Sequence, residues 1–316
     1  MLKQVERDVF QSLEAIHIAA LKPKALSGIK KENIEAIPPK TFGGLKAKQI
    51  NALSPEWLRT INPQQWEQIP ATSMRGLDRK DIKNLPNRTL RGITTNQAAA
   101  LKPQAFLGLQ QDQIAALPAK VIAVLSARQF RRIKPNSIAN LTGKQASNLE
   151  PSVLATFSKR QFRKIAADAI SKLKPEQISE LPAKLIRTMS GNQARRLNTQ
   201  ALQSLTPRQI RAMLVTTLTD MTVKQFSQFS QSQINALRPR VLDDLNNKQR
   251  RALGLSPVQS RSATKRQRHS DGSTAPERRV IEALDVDHHL PGNSRAETEL
   301  EAPAPLNPVM LENEGW

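Results

Sequence analysis

From Leu21 to Leu253 every eighth residue is Leu, Ile, Met or Phe. Five residues after each of these comes a second apolar residue: Leu26, Ile34, Phe42, Ile50, Leu58, Trp66 and onward to Leu242. The pattern makes 29 octads, and only the last breaks the second column, with Arg250. A unit of eight residues cannot bury its own apolar face. Such a chain must stack its repeats into one continuous array and does not collapse around a single centre.

Proline sets the phase within each octad. Of 21 prolines, 15 lie in the array, and all of them occupy the second or third position, as in Leu53-Ser54-Pro55 and Leu117-Pro118. Proline fits the first turn of a helix and disrupts its interior, because it lacks an N–H and its ring clashes with the preceding turn. Each octad therefore opens with a turn and continues as a helix of one or two turns. Gln doubles the period. It fills the fifth position in 13 octads, and Gln97, Gln113, Gln129, Gln145, Gln161, Gln177, Gln193, Gln209 and Gln225 stand 16 apart, with Asp81 interrupting the series after Gln49 and Gln65. Eight of these octads have Ser or Thr three residues before the Gln, as in Thr206-Pro207-Arg208-Gln209. That is the capping-box pattern of a helix start. The unit is thus 16 residues, two differently started short helices.

These features predict an all-α fold: an elongated α-solenoid of very short helices over 21–253, with 8-residue half-repeats paired into 16-residue units. Helices of this length do not persist alone in water, so the two apolar columns must hold them by stacking, each large side chain contributing roughly 1.5–3 kcal/mol when fully buried. A β-solenoid is the competing architecture. The columns are alternately five and three residues apart, so a continuous strand would point them to opposite faces, and Tyr is absent from the chain. Residues 1–20 read as an entry helix capping the array, with Val5, Val9, Phe10, Leu13, Ile16 and Ala20 on one face. Residues 254–316 are polar and without period, which predicts a disordered tail. Within it, Val280–Leu284 reads as a local helix or docking peptide.

Charge is unevenly placed. Residues 1–255 carry 41 Lys and Arg against 17 Asp and Glu, while 256–316 carry 7 against 10. Such an excess favours acidic partners: nucleic acid, an anionic membrane or an acidic protein face. Absence of Cys excludes a disulfide framework and any thiolate site. No apolar run approaches the ~20 residues that span a bilayer, and the charged start Met1–Arg7 lacks the apolar core of a signal peptide.

The basic residues favour particular positions. The fourth position is Lys or Arg in 14 octads, among them Lys80, Arg88, Lys120, Arg128, Lys144, Arg160, Lys184 and Arg208; the seventh is basic in ten, including Arg131, Arg163, Arg187 and Arg211. Residues three apart share a helix face, so stacking is expected to align them into a positive, partner-binding ribbon along the solenoid. Its partner is expected to be a protein with an acidic surface or, alternatively, a nucleic acid held by its backbone with strong salt dependence. Lys265, Arg266 and Arg268, separated from Arg250-Arg251 by 13 residues, read as a nuclear-import-like signal. His288-His289 beside Asp285 and Asp287 is a weak metal pattern. There is no nucleophile–base pair, Gly-rich phosphate loop or acidic dyad, so the expectation is a non-enzymatic chain without cofactor or metal, acting as a monomer.

The runs Leu205-Thr206-Pro207-Arg208-Gln209-Ile210-Arg211-Ala212 and Leu109-Gln110-Gln111-Asp112-Gln113-Ile114-Ala115-Ala116-Leu117 resemble short tandem repeats of some large bacterial secreted and surface proteins. The Gly-Asp calcium nonapeptides that accompany such repeats in adhesins are missing here. The resemblance implies a secreted bacterial effector acting in a host cell; with the charged start and the import-like signal, the expectation is export without a cleavable signal peptide and a place in the host nucleus, or otherwise in the cytoplasm.

Overall fold

The computed structural model describes residues 7–258. Among them it holds 28 α-helices and three 3₁₀-helices, each four to six residues long, and no strand. The all-α fold of very short helices is therefore present, and the β-solenoid alternative is not. One helix falls in each octad. Proline opens many of them: Pro55–Thr60, Pro63–Glu67, Pro135–Ile138, Pro151–Leu154, Pro175–Ser179 and Pro207–Ala212 all have it at the first helical position. The anticipated capping boxes form as well. In the helix Thr95–Ala100, Thr94 Oγ1 accepts from the Gln97 N–H at 3.2 Å and Gln97 Oε1 accepts from the Thr94 N–H at 3.0 Å.

Both apolar columns are buried almost throughout, from Leu26 and Ile29 to Leu245 and Leu253. A third column, the fifth position, is buried beside them, and it is not confined to apolar side chains. Gln49, Gln65, Gln97, Gln113 and their successors to Gln249 lie there, alternating with Thr41, Trp57, Ser73, Val121, Leu185 and Val241.

That third column explains how the turns are tied together. Gln97 Nε2 donates to the carbonyls of Trp66 and Ile69, both at 2.8 Å. Gln145 reaches Ile114 and Leu117 at 2.7 Å, and Gln209 reaches Ile178 and Leu181 at 2.7 and 2.8 Å. The acceptors sit at the C-terminal end of a helix one turn of the solenoid earlier, where the last carbonyls have no partner within their own helix. One amide thus caps its own helix N-terminus through Oε1 and an earlier helix C-terminus through Nε2. Shorter side chains in the same column make one such bond: the hydroxyls of Ser73, Ser137 and Thr217 donate to Leu45, Leu109 and Met189 at 2.6, 2.7 and 2.9 Å.

These bonds join residues 28 and 31 apart, and 28 residues are three and a half octads. The helices are therefore laid like staggered bricks. Every strong packing contact joins a helix to the third one after it, as in Pro135–Ile138 on Lys159–Lys164 or Gly143–Ala146 on Ala167–Ile170. The start of each helix that carries a column Gln rests on the end of the fourth helix before it, as Gln161 does on Phe130 and Ile133.

Turns approach most closely at the three 3₁₀-helices, Pro39–Gly44, Ala71–Gly76 and Pro103–Gly108. Each ends in a glycine whose missing Cβ would collide with a backbone carbonyl one turn earlier, that of Ala15, Ala47 or Arg79. Here glycine is required by space.

Asp81 occupies the same column without the amide. It accepts from the Asp78 N–H at 2.8 Å and so completes its capping box. It has no donor for the carbonyls of Ile50 and Leu53, which a Gln in this register would reach. Burial raises its pKa above the ordinary carboxylate value; the hydrogen bond from the Asp78 N–H opposes the rise, and the Asp78 carboxylate adds to it.

Both ends depart from simple repetition. Residues 7–20 contain two short helices, Arg7–Gln11 and Ala15–Ala20, in place of the single entry helix expected. They bury Phe10 and Ile18 and pack three helices onward like the rest, while Val9 and Ile16 are exposed. The octad register simply extends upstream. At the other end Arg250 replaces the apolar residue of the second column. Its guanidinium donates to the carbonyls of Leu242 and Ser256 at 2.6 and 2.7 Å, and Gly254 turns the chain with φ near +70°. The polar side chain closes the last turn of the described residues. Of the predicted tail, 259–316 lie outside the described residues, and with them the import-like Lys265, Arg266 and Arg268, His288-His289, Val280–Leu284 and Trp316.

Candidate functional site

Successive octads point in different directions around the solenoid, because a turn takes about three and a half of them. The single ribbon expected from positions four and seven is therefore corrected: stacking aligns every third helix, not every helix. Lys120 and Lys144 lie on helices that pack directly on each other, and the next helix in that stack, Ala167–Ile170, carries Asp168. Lys80 stands on Arg79–Asn84, which packs on Pro103–Gly108 with no basic residue of its own beyond the cap. Arg88 donates to the carbonyl of Arg59, and the neighbouring helix carries Asp112.

Of the remaining eight, four line two grooves. Arg128 and Arg131 line one groove with Arg132, Pro103 and Gln104. Arg160 and Arg163 line a second with Lys164, Lys134, Pro135 and Asn136. Both grooves are built the same way, 32 residues apart: the C-terminal part of one helix overhangs the start of the third helix before it. Gln161 joins them, since its Nε2 donates to Phe130 and Ile133 at 2.9 Å, across the segment that holds Arg131 and Arg132. From Lys159–Lys164 the stack continues onto Ala183–Ile186, with Lys184 and Arg187, and onto Pro207–Ala212, with Arg208 and Arg211.

All the groove cations are exposed, and none of them makes an ion pair among the described residues. This distinguishes them from Arg195 and Arg196, which are 3.2 and 3.6 Å from Asp220 and Asp168. Between residues 113 and 167 the chain has ten Lys and Arg and one acid, Glu150. Arg132, Lys134 and Lys164 were not singled out by octad position. Their signal is a 29-residue spacing, Lys134 to Arg163 and Pro135 to Lys164, which becomes legible only once the length of a turn is known.

The fold and this surface define a class, the all-α solenoid of octad repeats with a cationic side. Compared with known proteins, the chain matches no family model and no curated protein. Among the described residues no group of three His, Asp or Glu is placed to hold a metal ion, and no helix is long and apolar enough to cross a membrane.

Proposed function

We propose that this chain is a non-enzymatic repeat scaffold that binds an extended acidic partner along its basic side. The observation that carries this reading is the pair of adjoining grooves lined by Arg128, Arg131, Arg132, Lys134, Arg160, Arg163 and Lys164 with no acidic residue among them. Unpaired cations on exposed helices repel one another, and an anionic partner relieves that repulsion while it gains charge-assisted hydrogen bonds. A solenoid suits a long ligand, because its surface repeats with every turn.

Immobilised full-length chain should retain polyglutamate at about physiological ionic strength, where screening acts over roughly 8 Å, and should not retain polylysine. Charge reversal at Arg128 and Arg160 should weaken retention more than reversal at Lys120 and Lys144. Failure to retain any polyanion under those conditions overturns the proposal.

A further inference from the structure

The two grooves allow the partner's chemistry to be narrowed. A protein partner draws most of its affinity from a few aromatic or aliphatic anchors buried at the centre of the interface. The large apolar side chains exposed among the described residues are Val9, Ile16, Val124, Leu214, Val223 and Val258, and none of them lines either groove. A single nucleic-acid strand is held by bases stacked on exposed aromatic rings. Every Phe and Trp in 7–258 is buried, from Phe10 to Phe229. What the grooves do offer is guanidinium and ammonium groups, five Arg and two Lys. Neighbours on one helix face stand roughly 5–6 Å apart, and packed helices lie roughly 8–10 Å apart. Arg is suited to phosphate because its planar fork makes two parallel hydrogen bonds to one anion.

We infer that the grooves of Arg128, Arg131, Arg132, Lys134, Arg160, Arg163 and Lys164 form a binding site for the phosphodiester backbone of duplex nucleic acid, read without regard to sequence. The inference rests on the polyanion reading above and deepens it. Contacts to phosphate position a duplex and carry no base information. Neutralised phosphates release condensed counterions, so affinity falls with salt by a slope of about −0.9 per phosphate contacted on B-DNA.

The test is fluorescence anisotropy of a labelled mixed-sequence DNA duplex titrated with full-length chain at rising salt. Three proteins are compared. One is unaltered. A groove variant carries Arg128, Arg131, Arg132, Arg160, Arg163 and Lys164 each changed to Gln. A control carries the same change at Lys22, Lys24, Lys30, Lys40, Lys46 and Lys48, which are also exposed and remove the same charge. Helical circular dichroism verifies that all three are folded. The unaltered chain should bind with a steep salt slope, the groove variant at least tenfold more weakly with a slope shallower by several units, and the control nearly as well as the unaltered chain. Equal losses in both variants would mean that bulk charge is responsible and would overturn the site. Retention of polyglutamate without duplex binding would overturn this inference and leave the broader reading intact. Binding of neither would remove both.

Discussion

Gln145 offers the sharpest test of how the turns are held. Its side chain is buried, and its three bonds are short: 2.8 Å from the Thr142 N–H to Oε1, and 2.7 Å from Nε2 to each of the Ile114 and Leu117 carbonyls. Met has nearly the same length and volume and can make none of them. In Gln145→Met the Thr142 N–H and the Leu117 carbonyl lose their hydrogen-bonded partner, whereas the Ile114 carbonyl keeps the Leu117 N–H at 3.3 Å. The buried Leu117 carbonyl left without a partner costs about 1–3 kcal/mol, and the partly buried Thr142 N–H, which water can reach, adds at most about 1 kcal/mol, so the expected loss is about 1–4 kcal/mol. That is a large part of the total stability of an ordinary domain. Urea unfolding of the full chain followed at 222 nm measures the loss, with Gln200→Met as the exposed comparison. Hydrogen exchange should place the weakening at Thr142 and at the turn beneath it, because a repeat array opens locally. Gln145→Glu adds a sign. A buried carboxylate facing two carbonyls has its folded pKa raised above its unfolded value of about 4.3. Stability is then present below that unfolded value and lost as pH rises through the folded one. This variant should be weaker than Gln145→Met at neutral pH and should recover on acidification. A loss below about 0.5 kcal/mol for Gln145→Met, in the range of neutral surface changes, would refute the bridging role.

Asp81→Gln should stabilise the protein by about 1–2 kcal/mol, through two hydrogen bonds to the Ile50 and Leu53 carbonyls, read as a higher urea midpoint. Because burial raises the pKa of Asp81 above 3.8, the native chain should gain stability as pH falls through the folded value toward 3.8, a gain that the variant lacks. Gly44→Ala should cost about 1–3 kcal/mol by forcing backbone apart, whereas Gly43→Ala, whose Cβ would meet nothing nearer than the Gln68 carbonyl at 3.8 Å, should be close to neutral in thermal unfolding. Arg250→Leu should loosen only the final turn, seen as faster exchange at the Leu253, Gly254 and Leu255 amides with Thr142 unchanged; equal acceleration at both would contradict local closure.

The period, the helix starts and the helical class are written in local sequence. Proline at positions two and three, and Ser or Thr three residues before Gln, act within four residues of themselves, so their structural meaning can be read without knowing what packs where. The two apolar columns likewise declare what must be buried. What could not be read is which octads meet. That depends on the angle through which each short turn redirects the chain, accumulated over three and a half octads, and no residue pair adjacent in sequence records it. The buried end of Gln97, the carbonyl against Gly76 and the grooves that join Arg163 to Lys134 all follow from that angle. Local chemistry decided that there would be helices and where each begins; only the closing of the turn decided which carbonyl a glutamine reaches and which cations share a surface.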